Sequence, residues 1–248
     1  MACNVAFSWG VSQLKWSSGG TGHCKEGGER SGNGMQIDAA FPLSMPEGLT
    51  IGVQYVLNSI RWAKLAGCPC VDTTDERCKP VGASDAEVLT QMKRTYEQLV
   101  RVAEGYDIIV NIEPHGYYTT DPEAMQELLY SIDSPYLRLN MDLGNTFIAG
   151  QDPISFLQRF KSKVSHVHIK DLSESLYRAM RGELTGIAVS HCTIGEGVNA
   201  ENIRRCLSIL HEADFEGVLS IECEGQGGPM LERSLAWLRN IISKAGAS

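Results

Sequence analysis

Three carboxylates and one imidazole stand near the C-terminal ends of four short apolar runs in this chain. The runs read IIVNIEPHG with Glu113, LRLNMDLGN with Asp142, VSHVHIKD with His168 and VLSIECEG with Glu222. An oxygen-rich donor set with one imidazole suits a hard or borderline divalent ion, manganese first, with magnesium, cobalt and zinc as alternatives. Such an ion can polarise a carbonyl and stabilise an enediolate oxyanion beside it. Residues this far apart in sequence need a fold that gathers them. Helical-looking segments separate the runs, and strands alternating with helices imply a parallel sheet. Parallel strands place their C-terminal ends on one face, so four strand-end side chains can converge there.

The bulk composition narrows the function classes. The chain has 248 residues, the usual size of one (β/α)8 barrel, and is expected to form a single domain over 1–248. A hydrophobic content of 43% with 21% charged residues is ordinary for a globular protein. The net charge of -8 argues against a broad nucleic-acid surface, which needs clustered Lys and Arg. No secretory apolar region is evident near the N-terminus, and no apolar run reaches about 18 residues, the length of a membrane span. The reading is therefore a cytoplasmic protein with reduced thiols, without membrane or nucleic-acid partners. Cys68-Pro69-Cys70 is a CxC rather than a CxxC, and reads as buried thiols rather than a redox or metal pair.

Periodicity and punctuation give the elements. NVAFS (4–8) is a short candidate strand, followed by a long Gly-rich segment over 9–48 that reads as a loop above the strand ends. Helical spacing predicts a helix over 49–66 ended by Gly67. CPCVDTT reads as a strand. Ser84 with Glu87 forms a capping box for a helix to Glu104. Asp121-Pro122 and Asp152-Pro153 open further helices. Asn199 to Ala213 is helical, and a last helix follows Gly228-Pro229. This gives six strands where a closed parallel barrel has eight. The fold class expected is α/β, a TIM (β/α)8-type barrel lacking its first two β/α units. Such an open barrel is expected to associate with itself or with a partner subunit.

With these motifs in order, the chain resembles the sugar phosphate isomerase/epimerase family of xylose isomerase-like TIM barrels. That group includes ketose 3-epimerases, inosose dehydratase and endonuclease IV relatives. The resemblance runs from about Leu49 to the C-terminus and rests on IEPHG, MDLGN, HVHIKD, IGEGVNAENI and SIECEG. It implies metal ligands at Glu113, Asp142, His168 and Glu222. It also implies that Glu113 and Glu222 serve as the acid-base pair on a keto sugar, sugar phosphate or polyol. His168 is preferred to His166 because it ends its strand, with His166 one layer deeper on the same face. Glu224 is the runner-up to Glu222.

Two departures stand out. Epimerases of this type commonly carry His where this chain has Asn145. They also carry a substrate-binding Arg just past the His that matches His168, and here the nearest are Arg178 and Arg181. The long segment from Leu172 to Ala200 is expected to reshape the pocket for a bulkier substrate. The leading reading is a metal-dependent isomerase or epimerase. A lyase of the same fold, either a dehydratase or a C-glycoside-cleaving enzyme, is the alternative, followed by a non-catalytic barrel subunit. A DNA-repair nuclease is disfavoured by the acidic charge.

Further candidates surround the four ligands. His115, Asn145, Lys170, Arg178 and His191 are expected on the substrate side. Lys170-Asp171 also reads as a structural ion pair at a barrel rim. Gly225 to Pro229 could cradle a phosphate at a helix start or simply form a tight turn. Trp9, Trp16 and Phe41 could line a sugar-stacking wall. Trp62 and Trp237 read as packing residues.

Overall fold

The computed structural model describes residues 36–182, 185–186, 188–222 and 228–245. They divide into two compact units, one ending at Asn140 and the other beginning at Met141.

The first unit alternates strands and helices. It runs β1 (Gln36–Ala39), α1 (Ile51–Ala66), β2 (Cys70–Thr73), α2 (Asp85–Tyr106), β3 (Ile109–Ile112), α3 (Pro122–Leu129) and β4 (Leu137–Asp142), whose last two residues belong to the second unit. All pairings are parallel: Ile37 faces Val71, Thr73 faces Ile112, and Ile112 faces Leu139. β2 is buried at every residue, as expected of a parallel strand covered on both faces. Helix α1 buries Val53, Val56, Ile60 and Ala63 at helical spacing, and Gly67 closes it in a left-handed conformation at φ 73°. Helix α2 starts on the Ser84–Glu87 capping box. Asp121 caps α3 by accepting from the amides of Glu123 and Ala124.

A buried polar layer fixes the register of this unit. Asp72 on β2 accepts from Asn111 Nδ2 at 2.8 Å and Asn140 Nδ2 at 3.0 Å, on β3 and β4. A one-residue slip would turn these side chains to the other face and strand them.

The second unit continues with α4 (Leu143–Ile148), α5 (Pro153–Phe160), β5 (Val164–Ile169), α6 (Glu174–Met180), α7 (Ala200–Glu212), β6 (Val218–Ile221) and α8 (Gly228–Ala245). β5 and β6 pair in parallel, with His168 facing Ser220. Strand order in the sheet follows chain order from β1 to β6. Among the described residues there are thus six parallel strands, where a closed barrel has eight.

Several expectations need correcting. The segment read as a loop over 9–48 contains β1 and a 3-10 helix, Pro46–Leu49. QIDA has only two apolar residues, Ile37 and Ala39, too few for a strand signal, yet both are buried against the unit. The NVAFS strand, Trp9, Trp16, Glu224 and residues 225–227 of the proposed phosphate turn lie outside the described residues. Phe41 packs on α1 rather than lining a wall: its ring is 5.9 Å from Tyr55, and Gly52 makes room for it. Trp62 is 61% exposed on the outer face of α1, so it is not a packing residue. Trp237 does pack, lying so close over Gly195 that no side chain would fit there. Cys68 and Cys70 are both buried. No helix of the described residues is long and apolar enough to cross a membrane.

Candidate metal centre

β4 ends at Asp142, and α4 begins at the next residue. Asp142 is fully buried and does two jobs. Its Oδ1 caps α4, accepting from the amides of Gly144 and Asn145 at 2.7 Å each. Among the described residues its Oδ2 has no hydrogen-bond donor. That oxygen faces His168 Nδ1 at 3.8 Å and Lys170 Nζ at 3.7 Å.

Alternation along β5 sends His166 and His168 to one face, and Lys170, the first residue past the strand, keeps the same alternation. His166 is buried and paired through Nε2 with Ser220 Oγ at 2.6 Å. Burial, with the neighbouring His168, holds its pKa well below the ordinary value, so it stays neutral. His168 meets carboxylates instead, with Nδ1 3.4 Å from Glu222 Oε2. Glu222 directly follows β6, and its amide donates to Ile169 O at 3.0 Å. Asp142, His168 and Glu222 each offer a ligand atom, all within 4.8 Å of one another.

Lys170 is 2% exposed and lies among these groups. Its Nζ is 2.7 Å from Glu222 Oε1 and donates to Asn145 Oδ1 at 2.9 Å. Burial raises the Asp142 carboxyl from its usual range, with Lys170 opposing. Burial also works against ionisation of Glu222, but Lys170 and His168 override it and hold that carboxyl well below the usual range. Among the described residues, two buried carboxylate oxygens, Asp142 Oδ2 and Glu222 Oε2, accept no hydrogen bond. Such oxygens are costly unless a cation meets them, and with the imidazole they make a donor set that fits a divalent ion.

In the first unit, Glu113 follows β3 and is 8% exposed. Its amide donates to Thr73 O at 2.9 Å, holding it at the strand end. His115 Nδ1 lies 3.2 Å from Thr74 Oγ1 and 3.7 Å from Glu76 Oε1. Glu76 adopts a left-handed φ of 51°.

Lys170 and Asp171, the two residues after β5, meet different partners: Lys170 reaches Glu222 and Asn145, and Asp171 accepts backbone amides. Asp171 instead gathers the segment before α7. Its Oδ1 accepts from the amides of Leu172 and Asn199, and its Oδ2 from those of Gly195 and Gly197. Asn199 Nδ2 in turn donates to the carbonyls of Leu143 and Lys170, both at 3.1 Å. The IGEGVN stretch is thereby a frame beside the centre. Arg178 is not brought to the centre. It sits on the exposed face of α6 and pairs with Glu174 one turn earlier at 2.6 Å. Arg181 holds α6 down, with its guanidinium 4.9 Å from the Phe147 ring and Nη1 donating to Phe147 O. His191 is exposed.

A family model described as xylose isomerase-like TIM barrel matches residues 25–241. The chain belongs to that family. Among curated proteins, this xylose isomerase-like chain is similar to an inosose dehydratase of Clostridium beijerinckii. The two are 28% identical over 51% of this chain and 44% of that protein. The chain thus spans less than half the length of the first curated relatives it matches. Among solved structures it is similar to a D-tagatose 3-epimerase-like protein, with a TM-score of 0.70 at 22% identity over 86% of this chain and 78% of the other. It is also similar to a xylose isomerase-like TIM barrel protein from Mycobacterium smegmatis in complex with magnesium. That match has a TM-score of 0.61 at 15% identity over 85% and 73% of the two chains. At these identities the solved structures establish the fold.

Proposed function

We propose that this chain is a divalent-metal-dependent isomerase or epimerase of a sugar, sugar phosphate or related keto-polyol, working through an enediolate. The observation that carries the reading is the pair of buried oxygens on Asp142 and Glu222, without a hydrogen bond among the described residues, beside the His168 imidazole. Glu113 is proposed to complete the set as a fourth ligand. In support, Glu113 directly follows β3 and Asp142 ends β4, so each stands at the C-terminal end of its own parallel strand. A divalent ion held there would supply Lewis-acid polarisation of a carbonyl; manganese is the first choice among hard and borderline ions.

The protein groups do the proton work. Glu222, kept ionised by Lys170, is the base that takes the proton beside the carbonyl, and Glu113 is the acid on the other face. Lys170 and Asn145 offer an ammonium and an amide to substrate oxygens, and His115 stands at the rim of the first unit as a further substrate contact. Asp142 stays fixed by its cap on α4.

A dehydratase reading uses the same enolate and expels a hydroxyl β to the carbonyl. The inosose dehydratase similarity favours keeping it as the second reading. Incubating the manganese-loaded protein with candidate ketoses and inososes in deuterated water separates the two. Deuterium exchange with an isomeric product supports the isomerase, and loss of water supports the lyase. Neither exchange nor elimination across the series would contradict both.

A further inference from the structure

We propose that Lys170 sets the affinity of the centre for its ion, acting as a fixed internal cation that competes for the same carboxylates. The inference deepens the metal reading and rests on it. Three features carry it. The Lys170 ammonium is 2.7 Å from Glu222 and 3.7 Å from Asp142, the two groups whose other contacts leave oxygens for an ion. The side chain is buried and its stem lies against Gly144, so close that a Cβ there would meet its Cβ, Cγ and Cδ at 2.4–2.7 Å. The ammonium is therefore tethered in place and cannot swing into solvent as an exposed lysine would. Asn145 Oδ1 is a neutral partner at 2.9 Å, so the ammonium can slacken its hold on Glu222 without losing every hydrogen bond.

The consequence is electrostatic. An incoming divalent ion must share Asp142 and Glu222 with a positive charge a few ångströms away, and repulsion at that range in a buried site is strong. The centre then binds its ion with moderate affinity and exchanges it, instead of holding it permanently. Lys170 is a positioning residue in this role, because it acts on the ion through the carboxylates.

The test is a titration of the full chain with manganese(II), followed by calorimetry and by the electron paramagnetic signal of free ion. Wild type is compared with Lys170→Met and Lys170→Gln. Gln keeps hydrogen bonding to Asn145 and guards against a variant that fails to fold. Both variants should bind manganese at least about tenfold more tightly than wild type. Without added metal both should melt at lower temperature, since the carboxylates lose their counter-charge, and manganese should raise their melting points more than it raises that of wild type. Equal or weaker manganese binding by the variants would overturn the proposal while leaving the metal reading intact. No binding by wild type or by either variant would overturn the metal reading, and this proposal with it.

Discussion

Lys170 lies across the α-carbon of Gly144, where a methyl group would come within 2.4 Å of the lysine Cβ and 2.5 Å of its Cγ. These atoms are near the lysine backbone and cannot step aside like the tip of a flexible side chain. The glycine of MDLGN is thus a packing requirement of the lysine in HVHIKD. Gly144→Ala should cost about 1–3 kcal/mol, the usual penalty for overpacking a tight site. Thermal or urea unfolding checks it, and a wild-type melting point would show that the contact relaxes freely.

Asp171 should be among the most sensitive positions of the second unit. Its buried carboxylate accepts four backbone amides. Asp171→Ala strands those donors and should destabilise by at least about 3 kcal/mol, given roughly 1–3 kcal/mol for each unsatisfied buried group. Urea unfolding at fixed pH reads the loss. A change under about 1 kcal/mol would mean that water replaces the carboxylate.

How much of this was legible in the sequence differs by element. The ends of β3 to β6 stood out because short stretches rich in Leu, Ile and Val stop at a charged residue. The helix starts at Ser84, Asp121 and Asp152 carry local capping chemistry that needs no tertiary context. β1 was hidden because its four residues carry too little pattern, and its burial comes from β2 and α1. Helix α4 was hidden because Asp142 is both strand end and N-cap, with no loop between. The partner of Lys170 was the larger miss. Period-two alternation from His168 already places Lys170 on the face of the candidate ligands, but its contact with Glu222 joins residues distant in sequence and leaves no local signal. Arg178 was drawn in by its distance from His168 along the chain, whereas α6 turns it to solvent.

Asp75 predicts a pH dependence in the first unit. It is fully buried, and burial pushes its carboxyl up to about 6 despite bonds from Thr119 and Tyr118. A carboxyl raised in the folded state keeps its proton where the unfolded chain has lost it. Its contribution to stability is therefore full below about pH 4, falls as pH rises towards 6, and is gone above, a span of roughly 3 kcal/mol. Asp75→Asn removes that titration. The stability deficit of the variant relative to wild type should shrink between about pH 4 and about pH 7. A deficit that stays constant across this window would show that Asp75 titrates normally.

Glu222 and Arg178 should separate cleanly in an activity assay. Glu222→Gln keeps the size of the side chain but removes the base, and should lower the rate of deuterium exchange by roughly 10²–10⁴-fold. Arg178→Ala removes an exposed pair with Glu174 and should leave the rate unchanged. A Glu222→Gln variant that turns over normally with metal bound would move the base to another group, with His115 the first to examine.

The strand-end cluster is expected to hold one divalent ion. Elemental analysis after manganese loading and gel filtration checks this, comparing wild type with Asp142→Asn. Asn can still cap α4, so the variant loses the charged donor without losing the helix start. The wild-type chain should retain about one ion per molecule, and the variant close to none. Equal metal content in the two proteins would contradict the account.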